Sequence, residues 1–390
     1  MLRHPRRLAV SCLGAVAVGV LLAGTATGDP GADPALPESA GSVPFDENVP
    51  MMEPVPGVPW GAFLGSGPEG VSHMTAMQQW LGGSEMRVGH TYLPGNRWAD
   101  LEGSPGLLEP WARWRRADSD RLFVLNVPML ERNEEGIPDE EVAELLERGA
   151  GGEFDHVFRR LANRLVGLGV PETVIVLGWE MNGITYTSRC APHPEAWRAY
   201  WRRIVTTMRA VPGQRFRFDF APSRGEDAIP WTECYPGDDV VDIVGMDSYD
   251  QPPGRSFDEH INQRMGLRDQ VEFAKEHNKP ISYPEWGLFR NGDNAEYMRR
   301  MLDWIAEHPP AYHTITDYCP HGIWRCGTNP KASRIFRHQQ FTGRDAREQN
   351  GREQDGRERE ADCMQLNLGS WGESLLGRRD MCVRFDWPKR

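Results

Sequence analysis

No CxxC pair and no HExxH sequence occurs in this chain, and only 7 of its 390 residues are cysteine. The commonest zinc frameworks are therefore excluded, and no metal is expected. Basic charge is also short: 44 Lys and Arg stand against 56 Asp and Glu, a formal net charge of −12. Nucleic acid and anionic membrane surfaces attract the opposite balance, so neither is expected as a partner. No internal repeat of 20–50 residues is visible. After the first 28 residues no run is long and apolar enough to span a bilayer. What remains is an acidic chain that suits a neutral substrate, with 39% hydrophobic residues and 14 tryptophans to build a large core.

The N-terminus has the order of a secretory signal peptide: basic "MLRHPRR", apolar "LAVSCLGAVAVGVLLAG", then small residues in "TATG". We expect residues 1–28 to be removed on export. Cys12 goes with them, leaving Cys190, Cys234, Cys319, Cys326, Cys363 and Cys382. An even number in an exported chain points to disulfides, although six cysteines allow about fifteen pairings. Residues 29–59 read as a Pro-rich linker with little periodicity. Residues 343–390 begin with the mixed-charge run "TGRDAREQNGREQDGREREAD" and read as a charged low-complexity tail, disordered or weakly ordered, of unassigned role.

Between these ends, residues 60–342 alternate short β-prone runs with helical patterns. The runs lie at 60–65, 86–93, 121–130, 173–182, 215–222, 240–250, 280–288 and 313–319. Helical periodicity is clearest at 153–169 and 194–211, where Trp197, Tyr200 and Trp201 share a face with Ile204, Val205 and Met208. Eight strands with intervening helices predict a (β/α)8 TIM barrel, an α/β fold of typically about 250 residues. A doubly wound sheet is the alternative. In such a barrel the chemistry sits at the C-terminal ends of the strands.

Glu180 in "LGWEMNG" and Glu285 in "ISYPEWG" stand at two such ends. Two carboxyl groups converging on a barrel mouth are what glycosidic cleavage requires, one protonated and one ionised. The other reading pairs each glutamate with an arginine inside the barrel. Together with "GMDSYD", these motifs resemble glycoside hydrolase family 26, the secreted β-mannanases and related endo-glycanases of a retaining (β/α)8 clan. The resemblance spans about residues 60–342. It implies that Glu180 is the general acid/base, that Glu285 is the nucleophile, and that Tyr249 hydrogen-bonds the nucleophile. Trp179 stands where the family's mannanases usually carry His, and Asn182 completes the acid/base motif. The implied protein is a secreted, monomeric, cofactor-free endo-β-glycanase acting on a mannan- or glucomannan-type polysaccharide. The alternatives are the same chemistry on β-glucan, cellulose or β-xylan, and a non-catalytic carbohydrate-binding barrel.

Sugars also stack on aromatic rings. Trp324 in "CPHGIWRCG" is the first candidate, with Trp286 and Trp231 behind it. His90, at the end of the second strand, is placed either to bond a sugar hydroxyl or to sit satisfied at the rim. Asp247 and Asp250 flank Tyr249 and bind sugar or order the loop. Alternation on the fifth strand puts Arg217 and Asp219 inside the barrel as a charged pair, with Phe216, Phe218 and Phe220 outside. Barrel adjacency pairs Cys190 with Cys234 and closes Cys319 onto Cys326, leaving Cys363 for Cys382. The GxGxxG at 65–70 has Pro68 inside it and lacks an acidic residue at the end of the next strand, which argues against a dinucleotide site.

Overall fold

The computed structural model describes residues 57–340, 364–367 and 380–383. The expected signal segment and nearly all of the linker fall outside these residues, as does Cys363 of the third proposed disulfide. Parallel strands β1 (Trp60–Phe63), β2 (Val88–Tyr92), β3 (Leu122–Val127), β4 (Val174–Leu177) and β5 (Arg217–Phe220) follow one another around a barrel. The sixth barrel strand is broken into β6 (Ile243–Gly245) and β7 (Ser248–Tyr249); β8 (Ile281–Gly287) and β9 (His313–Thr316) complete the ring. β9 pairs with β1 from Trp60↔His313 to Phe63↔Thr316, which closes it. Each of the eight expected runs contains one barrel strand, so the doubly wound alternative is excluded.

Alternation along the strands sorts residues between two cores. Val88, Val124, Val174, Val176, Ile243 and Tyr312 fill the barrel interior. Ile175 and Leu177 face outward into the layer beneath the helices. The helix Pro194–Arg209 shows why its sequence folds there: Pro at its first turn fits the helical φ, and His193 accepts a bond from the Ala196 N–H. Trp197, Tyr200 and Trp201 are buried on its inner face, as expected. Their polar tips are satisfied by carbonyls of Ser188, Met129 and Leu177, which removes the cost of burying them.

One expectation needs correcting. Phe216, Phe218 and Phe220 do face the helices, but Arg217 is exposed at the barrel's end and forms no pair inside it. Asp219 is held by the hydroxyls of Ser282 (2.6 Å) and Tyr312 (2.7 Å), so neutral donors replace the expected cation. Gly245 lies against it, and a Cβ there would meet the carboxylate at 2.5 Å. Within the C-terminal tail Met364–Asn367 and Asp380–Val383 pair as antiparallel strands β10 and β11.

Cys190–Cys234 and Cys319–Cys326 are both bridged, across 44 and 7 residues of chain. The first ties the loop after β4 to the turn after β5; the second closes the loop after β9. Among the described residues no helix is long and apolar enough to cross a membrane. Loop-closure entropy assigns about 4 kcal/mol to the longer bridge and about 2 kcal/mol to the shorter. The double variant Cys190→Ser/Cys234→Ser should therefore lose roughly 2–4 kcal/mol of unfolding free energy in denaturant titration, and Cys319→Ser/Cys326→Ser less.

Candidate active site

Strict alternation along β8 would aim Glu285 at the helices. Ser282 points inward to Asp219, whereas Tyr283 points outward to Trp304, whose indole N–H bonds its hydroxyl. The pairing with β9 then slips: Tyr283 faces His313, but Trp286 faces Ile315. Three residues on one strand oppose two on the other, so a bulge falls at Pro284–Glu285. Proline is tolerated there because it has no N–H to lose. The extra residue reverses the parity and turns Glu285 into the barrel while Trp286 goes outward.

Inside, Glu285 meets donors and no arginine. Tyr249 donates to Oε2 at 2.8 Å, and Asn126 Nδ2 donates to Oε1 at 3.1 Å. Each donor is itself held. Thr316 bonds the Tyr249 hydroxyl at 2.7 Å, and Asn126 Oδ1 lies 2.8 Å from His90 Nε2. Thr314 Oγ1 meets His90 Nδ1 at 2.9 Å, so both ring nitrogens are occupied. Burial lowers the His90 pKa to about 4, opposed by its bond to Asn126, which keeps the ring neutral. Burial raises the Glu285 pKa, and hydrogen bonds from Tyr92, Tyr249 and Asn126 act against the rise.

Glu180 has the opposite surroundings. β4 ends at Leu177, so the glutamate lies beyond the strand in a tight turn rather than at its tip. Gly178 (φ 56°) and Glu180 (φ 49°) both occupy the left-handed region, which glycine tolerates and glutamate rarely enters. The Glu180 N–H donates to Ala221 O and its C=O accepts from Gly183, which hold it there. Its carboxyl has no hydrogen-bond donor among the described residues. Burial, followed by the charges of Glu285 and Asp227, pushes its pKa up to about 8. Strain of this kind concentrates at functional sites.

The other sequence candidates divide by exposure. Asn182 is buried and fully engaged, bonding Ser223 and Gly225 so that the loops after β4 and β5 are locked together. Trp179 is buried in the barrel interior and stands edge-on to Tyr92. His90 has no nitrogen left for a sugar, so of its two readings the satisfied one holds. Trp286 and Trp231 are fully buried, bonded to His313 and to the Met265 carbonyl, and neither can stack on a sugar. Trp324 packs half-buried against the outer core and His73. Tyr318, at the start of the same loop, is 50% exposed instead. It follows β9 closely and stands edge-on to Phe63 at the C-terminal end of β1, and burial followed by the charges of Glu285 and Glu180 raises its pKa to about 12. Asp247 is buried on the inward face with Tyr249, its carboxyl pushed well above the usual range by burial and by Glu285 and Glu180. Asp250 instead orders its loop, accepting from Asn291 and Asn294.

Sequence reading missed Asn126, Tyr92, Thr316 and Tyr318. Inward parity on β2 and β3 was the available signal for the first two.

The site thus holds one carboxyl surrounded by donors and another, lacking them, that favours its neutral form. The model of glycosyl hydrolase family 26 matches residues 160–276, a stretch that includes Glu180 and Tyr249 and stops short of Glu285. Over that stretch the chain is similar to glycosyl hydrolase family 26. No curated protein matches it significantly. Among solved structures it is similar to GH26C from Muricauda sp. MAR_2010_75, at 18% identity, TM-score 0.56, over 74% of this chain and 85% of that one. The Bacillus subtilis mannanase BCman matches at 16% identity, TM-score 0.54, over 72% and 84% respectively. The GH26 β-mannanase BoMan26A from Bacteroides ovatus matches at 18% identity, TM-score 0.50, over 67% and 81%. At these identities the likeness is one of fold.

The raised pKa of Glu180 has a consequence for the stability of this barrel. Between the ordinary carboxyl value and about 8, the folded state holds a proton that the unfolded state has released. Stability contributed by this group is complete below the unfolded value and falls as pH rises through that window. Glu180→Gln, which cannot ionise, should be more stable than the parent by roughly 1–3 kcal/mol at pH 8, discounted for residual solvent contact. Thermal denaturation should show the gap closing towards pH 4.

Proposed function

We propose that the protein is a secreted, endo-acting, retaining β-glycanase that hydrolyses β-1,4-linked mannan-type polysaccharide by double displacement. The reading rests on one observation above all: two carboxyl groups at one barrel mouth have opposite surroundings. Glu285, with donors on both oxygens, is the group suited to remain ionised and attack the anomeric carbon. Glu180, raised to about 8, is the group suited to protonate the departing oxygen. In the first step the Glu285–carbon bond forms as the glycosidic bond breaks, and the proton of Glu180 goes to the leaving sugar. In the second, Glu180 takes a proton from water, whose oxygen displaces Glu285. Net retention follows from the two inversions.

Each supporting residue then has a task. Tyr249 and Asn126 spread the charge of Glu285 and orient it, Thr316 and His90 hold them, and Tyr318 offers a half-exposed aromatic edge to the sugar. The mannan-type substrate is supported by the family match and by mannanases among the similar folds. Export is supported by the N-terminal pattern and by the two disulfides.

Reducing-sugar release from glucomannan, galactomannan, lichenan, cellulose and xylan tests the activity and names the polymer. The mannans should be cleaved, and Glu285→Ala should lose roughly 10³–10⁵-fold in kcat. Release from none of them by folded protein would contradict the reading. The pH profile of kcat/KM should be a bell. Its alkaline limb falls near pH 8 as Glu180 loses its proton, and its acid limb falls as Glu285 gains one.

A further inference from the structure

Beside Glu180 the mouth opens into a cavity of about 440 Å³ between the loops that follow β5, β6 and β7. Glu180 lines this cavity and Glu285 does not, so on the reading above it receives the sugar on the leaving side of the cleaved bond. Its chemistry differs from an ordinary neutral-sugar site. Among the lining residues Tyr249 is the single aromatic, while Arg224, Arg255 and Arg264 all line the wall. Arg264 is matched by Glu226 at 3.0 Å. Arg224 and Arg255 form no ion pair among the described residues.

Arg224 is held in place without being neutralised. Its Nε donates to Ser248 Oγ at 3.2 Å, and its Nη2 donates to the carbonyls of Tyr249 and Gln251, both at 2.7 Å. Nη1 has no hydrogen-bond partner among the described residues. Burial lowers the Arg224 pKa to about 10, still well above neutral, so the group stays cationic. Exposed Arg255 bonds only the neutral Gln263 side chain. Asp250 acts electrostatically on Arg224 and Glu259 on Arg255, without an ion-pair contact to either; Glu226 is already paired, and burial raises both Asp227 and Asp247 towards their neutral forms. Two guanidinium groups on the wall of one cavity, neither in direct contact with a carboxylate among the described residues, suit an anion from outside.

We propose that this cavity recognises a carboxylate on the leaving-side sugar, so that the substrate is a β-linked glycan carrying uronic acid residues. The assignment rests on the glycanase reading above, with Arg224 offering Nη1 from a fixed position and exposed Arg255 as the second cation. A charge-assisted hydrogen bond to a carboxylate is stronger than one between neutral groups.

The test uses β-1,4-mannan partly oxidised at C6 to mannuronate, beside the same sample returned to neutral sugar by carbodiimide and borohydride. The two polymers differ only in charge. Wild-type protein should show roughly tenfold higher kcat/KM on the oxidised polymer, the scale of one charge-assisted contact. Mass spectrometry should find uronate concentrated at the new non-reducing ends. Arg255→Gln should reduce the preference to about twofold or less, and Arg224→Gln should reduce it as well. Equal or faster cleavage of the neutral polymer would overturn the inference and leave the glycanase reading standing. A preference that survives both substitutions would also overturn it. Cleavage of neither polymer would remove both.

Discussion

Two carboxyl groups share a small, largely dry space at the mouth of this barrel, and low dielectric makes it costly for both to be charged. Everything else in the site decides which one gives way. Glu285 receives hydrogen bonds on both oxygens, from donors that are themselves anchored. Glu180 receives none among the described residues, feels the charge of Glu285, and is raised to about 8. On the proposed reading, the difference between acid and nucleophile is built from neutral side chains, and among the described residues no arginine bonds either carboxyl.

The scaffold accepts local irregularity to create that difference. A bulge at Pro284 breaks the β8–β9 register and turns Glu285 inward. A left-handed backbone at Glu180, clamped through Ala221 and Gly183, lifts the second carboxyl off the end of β4. Both features cost local stability and persist because rigid surroundings hold them. The Cys190–Cys234 bridge and the Asn182 clamp join the same two loops, so the turn bearing Glu180 is braced from both sides.

The barrel was readable in the sequence because its signal is periodic. Runs such as "TVIVLGW" are apolar on both faces, and the Trp197–Trp201 helix repeats its aromatics at helical spacing. Both bridged disulfides followed from loop adjacency once the strands were assigned. The two glutamates stood out because charge at the end of an apolar run is unusual. Other parts were not legible. Alternation cannot foresee a bulge, so the path by which Glu285 reaches the interior appears only in three dimensions. Tryptophan marks large buried surface as often as a sugar platform, which is why Trp286 and Trp231 proved to be core. Asn126 and Thr316 are short polar residues in β-strands, and only barrel closure brings them near Glu285. Arg217 was misjudged because parity says which face a residue takes, not how near it lies to the open end.

On the proposed mechanism Glu285 forms a covalent bond to the sugar while Glu180 handles protons. Intact-protein and peptide mass spectrometry after incubation with a 2-deoxy-2-fluoro-β-mannosyl fluoride, whose second step is slow, tests this. One added glycosyl mass is expected, located on the peptide bearing Glu285 and absent from Glu285→Ala. An adduct on Glu180 or Asp247, or turnover with no adduct and inverted product, would contradict it.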